Sequence, residues 1–275
     1  MYNIDYWLLN YTEIYFMYSS NHVDVFEIHR HSTDKKFIGI DINVENHWRN
    51  LRDKCIVVIN DLYYRNKGIE KILLKLEKNN RIVYLDYGKR DEWKENKSLF
   101  ISDDDEIEIR NKIIVNALQN TYNLRVVCNR GTDITFDLLE RKVFEENKIT
   151  MLSNNVITLP YGEVCFPVKE NTANGHIVWG TKMIKIISGY ICLNNKPSAV
   201  PLCEFGVGTN SSILDVEQYQ SYEKTFGTCH FGFGRNIDFG GTIDLNFHFD
   251  IVVPRFNCMD SNTNSSVLSS FEPIV

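Results

Sequence analysis

Three segments in the second half of the chain share one design, and only a β-strand can use it. They are Leu202-Cys-Glu204-Phe-Gly-Val-Gly208, Gly227-Thr-Cys-His230-Phe-Gly-Phe-Gly234 and Phe247-His248-Phe249-Asp250 followed by Ile-Val-Val. Successive side chains of a strand point to opposite faces. Glu204, Gly206 and Gly208 therefore share one face, with Phe205 and Val207 on the other. His230, Gly232 and Gly234 oppose Cys229, Phe231 and Phe233 in the same way. His248 and Asp250 emerge side by side, and Phe247, Phe249 and Ile251 are expected to enter the core. Two of the polar faces are cleared by glycine, which leaves open space above the strand where a ligand or substrate can approach.

Each segment alone is also compatible with a structural, hydrogen-bonded histidine or a bulged strand. Taken together they are harder to dismiss. A carboxylate on a glycine-cleared face is costly to bury unless a cation pairs with it. Pro160-Tyr-Gly-Glu163-Val-Cys-Phe-Pro167 adds a carboxylate in a tight apolar segment, and Glu223 precedes His230 by seven residues. Glu163, Glu204, Glu223 and Asp250 with His230 and His248 make a donor set suited to one or two divalent transition metals.

The rest of the chain supplies a frame for that set. Cys55-Ile-Val-Val-Ile-Asn60 and Arg81-Ile-Val-Tyr-Leu-Asp86 read as buried strands. Between them Ile69, Ile72, Leu73 and Leu76 recur at helical spacing, so the unit is strand-helix-strand. A second helix begins after Asp103-Asp104-Asp105 and is expected to bury Ile109, Ile113, Ile114, Ala117 and Leu118. Beyond Leu124 short strands follow one another: 124–128, 134–138, 177–179, 183–187, 190–193, 228–233 and 247–253. A short helix is expected over 217–224, and the Ser- and Asn-rich stretch 261–270 is expected to be exposed or frayed. The fold class is thus α/β: a small parallel α/β domain over 1–124, then a β-rich α+β metal-binding catalytic domain over 125–275.

A net charge of −6 on 275 residues argues against nucleic acid or an anionic membrane as the main partner. The apolar run 6–18 is interrupted by Asn10 and Glu13, so it does not read as a membrane span. Seven scattered cysteines without a CxxC pair read as reduced, mostly buried thiols of a cytoplasmic protein. His29-Arg-His31 reads as an exposed basic pair, His47 and His176 as structural or exposed, and Asp133 as a turn-stabilising side chain. There is no Walker motif, GxGxxG or GxSxG elbow.

An ordered series of short motifs then carries a family resemblance. It runs Arg130-Gly-Thr-Asp-Ile-Thr-Phe136, Leu159-Pro-Tyr-Gly-Glu-Val164, Cys203-Glu-Phe-Gly-Val-Gly-Thr-Asn210, Glu223-Lys-Thr-Phe-Gly-Thr-Cys-His230, Phe239-Gly-Gly241 and His248-Phe-Asp250. Over residues 105–255 the chain resembles the aminopeptidase T family of metallopeptidases, which includes thermophilic and leucyl-aminopeptidase-like members. The resemblance implies a two-metal site with Glu163, Glu204, Glu223, His230, His248 and Asp250 as ligands or immediate neighbours. It implies Glu163 and Glu204 as candidate catalytic carboxylates, zinc, cobalt or manganese as the ion, a small peptide as substrate, and a homodimer. The chain departs from the family where a tyrosine would follow His230, since Ile237 falls there, and its N-terminal part shows no placeable resemblance. The resemblance extends to a ring-cleaving dihydroxypyridine dioxygenase, for which His230, His248 and Asp250 would suffice around one iron(II). The leading expectation is a metal-dependent hydrolase of a peptide or amide bond, with the dioxygenase and a catalytically silent binding protein as alternatives.

Overall fold

The structure is a computed structural model that describes residues 11, 13–18, 36–41, 55–59, 81–85, 103–138, 143–147, 156–213, 223–237 and 240–269. The chain divides into two units. The first holds Met1–Ser102 and Lys148–Tyr161, and the second holds Asp103–Asn147 and Gly162–Val275. This differs from a single boundary near residue 124. The helix after Asp103 belongs to the second unit, and a later segment returns to the first.

In the first unit, β1 (Glu13–Tyr18), β2 (Lys36–Asp41), β3 (Cys55–Ile59), β4 (Arg81–Leu85) and β8 (Val156–Leu159) form one sheet in the order β2-β1-β3-β4-β8. All of its pairings are parallel. Strands of a parallel sheet commonly read as continuous apolar runs, as Cys55–Ile59 and most of Arg81–Leu85 do. Ile14, Phe16, Ile56, Ile82, Val83, Ile157 and Leu159 are all buried. The helix expected over 69–76 lies outside the described residues, as do His29, His31 and His47.

The second unit contains α1 (Asp104–Leu118) and the strands β5 (Asn123–Cys128), β6 (Asp133–Asp137), β7 (Phe144–Glu146), β9 (Glu163–Pro167), β10 (Asn174–Trp179), β11 (Lys182–Ile187), β12 (Tyr190–Leu193), β13 (Lys196–Gly208), β14 (Thr228–Gly234), β15 (His248–Pro254), β16 (Phe256–Asp260) and β17 (Ser266–Ser269). They form one antiparallel sheet in the order β15-β14-β13-β12-β11-β10-β6-β5-β16-β17, with β9 also pairing β13 and β7 pairing β9. Among the described residues the protein is mostly sheet, with α1 as its one helix. That helix is too short to cross a membrane, and no other described helix could.

The long strand β13 organises the core. Its second half, Leu202–Gly208, lies between β14 and β9. The apolar face expected from the sequence is realised there: Phe205 and Phe231 pack against Phe136 with ring centroids 5.2 and 6.0 Å away and 5.6 Å from each other. All three rings are buried.

Asp103 caps α1 by accepting hydrogen bonds from the backbone N–H groups of Asp105 and Glu106 at 3.1 Å each. Asp104, Asp105 and Glu106 sit in the first turn, where the helix dipole favours negative charge. Asp103→Ala should therefore lower stability by about 1 kcal/mol, read as a shift in the denaturation midpoint. The buried side of α1 is Ile107, Asn111, Ile114 and Leu118, spaced four, three and four residues apart. Ile109, expected inside, is 57% exposed because it lies off that stripe.

Three further expectations are corrected. The stretch 261–270 is exposed over 262–266, as expected, but it is not frayed: it closes a hairpin, with β17 pairing β16 and Leu268 buried. Its turn is built by Asp260, whose side chain accepts from the N–H groups of Asn262 and Thr263. Asp133 is not a turn residue. It lies in β6 and takes a two-pronged contact from the Arg125 guanidinium, with hydrogen bonds of 2.8 and 2.6 Å. Finally, Phe247 and Phe249 are exposed, whereas Ile251 is buried. Strand β15 ends the sheet order, so nothing in the sheet lies beyond it. The two exposed rings instead stack, 6.2 Å apart, and Phe249 lies 5.4 Å from Phe233. The short helix expected over 217–224 falls mostly outside the described residues, and Glu223–Lys224 forms a turn.

Candidate metal centre

The strands β9, β13, β14 and β15 are consecutive neighbours, and their register explains the glycines. Gly206 is opposite His230 on one side and Cys165 on the other. Gly208 is opposite Glu163, Gly232 is opposite both Glu204 and Asp250, and Gly234 is opposite His248. Each polar group thus has a cross-strand partner without a side chain. A Cβ added to Gly206 would sit 2.1 Å from ring atoms of His230. One added to Gly232 would sit 2.8 Å from Glu204 Cβ and 3.0 Å from both Asp250 Oδ1 and His248 Cε1. Over Gly206 and Gly232 the cleared space expected to admit a ligand is therefore filled by these polar side chains, whereas backbone of residues 223–225 covers Gly208 and Phe247 covers Gly234.

The polar groups converge closely. His230 Nε2 lies 3.5 Å from Glu163 Oε2 and 3.5 Å from Glu204 Oε1. His248 Nε2 lies 3.3 Å from Glu204 Oε2 and 3.4 Å from Asp250 Oδ1. A charge-assisted N–H···O bond would be about 2.7–2.9 Å. Donors bound tetrahedrally to one ion at about 2.1 Å stand about 3.4 Å apart, which is the spacing seen here. Glu204 Oε2 and Asp250 Oδ1 are buried and accept no hydrogen bond. Within the protein these oxygens face the His248 imidazole, at 3.3 and 3.4 Å, and the donor set fits a divalent metal in the same place.

The protein holds these groups from behind. His248 donates its Nδ1 proton to the Arg235 carbonyl at 2.8 Å, which turns Nε2 toward the carboxylates. Asn236, fully buried, fixes that loop by donating to the Cys203 carbonyl and accepting from the Ile243 N–H. Ile237 is exposed.

Charge is the dominant feature of the site. Burial works against protonating His230, yet contact with Glu204 and the charges of Glu163 and Asp250 raise its pKa to about 9. His248 is also raised, with burial opposed by Asp250, Cys203 and Glu204. Burial alone would raise Glu204, but the two imidazoles hold it well below the usual carboxylate range. Glu223, in the turn before β14, is driven well above that range by burial and by the charges of Asp250 and Glu163. The six expected residues are thus brought together.

Three participants were not foreseen. Lys224 is 2% exposed and pairs with Glu146 Oε2, with Glu163 Oε1 3.5 Å away. Burial opposes its charge, but Glu146, Glu163 and Glu223 keep it protonated. Glu146 is pushed to about 7 by burial against the pull of Lys224. It lies in β7, in register with Glu163, and nothing in its sequence context distinguishes it from a surface charge. Cys165 follows Glu163 by two positions on β9 and shares its face, which was a legible signal. The candidate ligand atoms fall into two trios, Glu163 with Cys165 and His230, and Glu204 with His248 and Asp250, each within 4.8 Å.

No protein-family model and no curated protein matches the chain. Solved structures do. The 2,5-dihydroxypyridine dioxygenase of Pseudomonas putida is similar with a TM-score of 0.60 and 13% identity, over 96% of this chain and 92% of that one. AmpT of Thermus thermophilus is similar with a TM-score of 0.52 and 12% identity, over 96% of this chain and 94% of that one. The likeness spans nearly the whole of each chain and is not confined to residues 105–255, and at these identities it is one of fold.

Proposed function

We propose that the protein is a hydrolase that uses two divalent metal ions to cleave a peptide or amide bond. The observation that carries this reading is the placement of Glu204, whose two oxygens each face a different imidazole, 3.5 Å from His230 and 3.3 Å from His248. A carboxylate so placed suits a bridge between two ions. Glu163 and His230 would hold one side, and His248 and Asp250 the other, with Glu223 beside Asp250. Bound ions would supply a nucleophilic water at neutral pH and polarise the scissile carbonyl. Glu204, committed to two imidazoles, serves as ligand. Glu163 would be a ligand as well, with the Lys224 ammonium 3.5 Å from its other oxygen.

A second reading has its own support. His230, His248 and Asp250 form a two-histidine-one-carboxylate set, and one structural neighbour is named a dioxygenase. Metal analysis of protein purified without added metal separates the two. Two zinc-like ions per chain support the hydrolase, one iron supports an iron(II) oxygenase, and protein that neither carries nor takes up metal overturns both. A loaded hydrolase should release product from unblocked peptides or small amides, and chelation should abolish that activity and lower the thermal midpoint. The same reading carries a homodimer, checked by sedimentation at micromolar concentration.

A further inference from the structure

We propose that Cys165 is a metal ligand, so that one half of the centre is a mixed site of Glu163 carboxylate, Cys165 thiolate and His230 imidazole. The inference rests on the metal reading above and adds to it the softness of one subsite, and hence the class of ion it takes.

The geometry comes from β13. Cys165 and His230 stand on opposite sides of that strand, both in register with Gly206, and the His230 ring reaches over the glycine. Sγ lies 4.0 Å from His230 Nε2. Zinc bonds of about 2.3 Å to sulfur and about 2.05 Å to nitrogen place those atoms about 3.6 Å apart in a tetrahedron, so closure needs a movement of only about 0.4 Å. Ligand atoms of Glu163, Cys165 and His230 already lie within 4.8 Å of one another. The alternation along β9 sets Cys165 apart from its neighbours, although all of the strand is buried. Val164 and Phe166 belong to the hydrophobic core cluster, whereas Cys165, between them, faces the carboxylates and the imidazole.

The other cysteines behave differently. Cys203 is buried, but it donates to the Gly232 carbonyl and meets His248 at Nδ1, the nitrogen turned away from the centre. Cys229 and Cys258 belong to the core cluster, and Cys128 packs against it. Cys192 is half-buried in β12. Among the described residues, Cys165 is the cysteine whose thiol meets both a glutamate and an imidazole nitrogen that face the site.

As the metal–sulfur bond forms, the thiol proton leaves to the buffer. A subsite with one sulfur, one nitrogen and one oxygen donor favours zinc, cobalt(II) or iron(II) over magnesium, calcium or manganese.

The test is to load the full-length protein with cobalt(II) and record its spectrum. The wild type should show visible d–d bands together with an intense near-ultraviolet thiolate-to-cobalt band. Cys165→Ser should lose the near-ultraviolet band and keep the d–d bands, and Cys203→Ser should keep both. X-ray absorption at the zinc edge of the wild type needs no variant and should show a sulfur neighbour at about 2.3 Å. Bound cobalt without the charge-transfer band, or a band that survives in Cys165→Ser, overturns the Cys165 assignment and leaves the metal reading standing. Failure to bind cobalt or zinc at all overturns both.

Discussion

Glu204→Gln should empty both halves of the centre at once. The substitution keeps the shape of the side chain and removes the charge that Glu204 shares between His230 and His248. It also turns an amide NH₂, which can only donate, toward a position where an acceptor is needed. Loss of a supporting partner outside the coordination sphere costs about 10–100-fold in metal affinity, so loss of a bridging ligand should exceed about 100-fold. Purified Glu204→Gln should therefore carry no metal by elemental analysis and have no hydrolytic activity. A comparison with Asp250→Ala sharpens the point. That change removes a donor from one trio only and should leave an ion held by Glu163 and His230. Retention of two ions by Glu204→Gln at wild-type affinity would rule out the bridge.

Gly206→Ala should be nearly as damaging, although it adds a single methyl group and replaces no proposed ligand. The new carbon would lie 2.1 Å from the His230 ring, closer than any real contact, and the ring is buried with no room to slide. Either His230 leaves the centre or strands β13 and β14 part. Overpacking of this kind costs about 1–3 kcal/mol. The variant should show both a lowered denaturation midpoint and loss of the ion on the Glu163 side. Wild-type stability together with full metal content would refute the idea that glycine here makes room for the imidazole.

What could be read in the sequence follows from the same register. Alternation along Glu204-Phe-Gly-Val-Gly and His230-Phe-Gly-Phe-Gly correctly set polar groups opposite Phe205, Phe231 and Phe233, because period two is a local property of a strand. The purpose of the glycines was not legible. It depends on which residue stands across the strand, and pairings such as Gly206 with His230 join positions far apart in the chain. The exposure of Phe247 and Phe249 was hidden for a similar reason: β15 ends the sheet order, a fact of topology that no local pattern records. Lys224 and Glu146 escaped notice because a charged residue reads as solvated until the fold buries it beside its opposite. The acidic run 103–105 correctly marked a helix start, since that signal is local, but not which aspartate caps it: the helix begins at Asp104 with Asp103 as its cap.

The path of the chain through its two units has a consequence for how the protein is made. Strand β8, the last strand in the order of the parallel sheet, is encoded after α1 and β5–β7, which belong to the other unit. As the polypeptide leaves the ribosome, the first unit cannot complete its sheet until residue 159 has emerged, by which time the second unit has begun without β9 and β13–β15. Neither unit is a contiguous stretch that could be translated and finished in turn. A gene cut at codon 124 would yield one product lacking β8 and another lacking α1, so the dissection that recovers independent modules from many two-part proteins should give insoluble halves here.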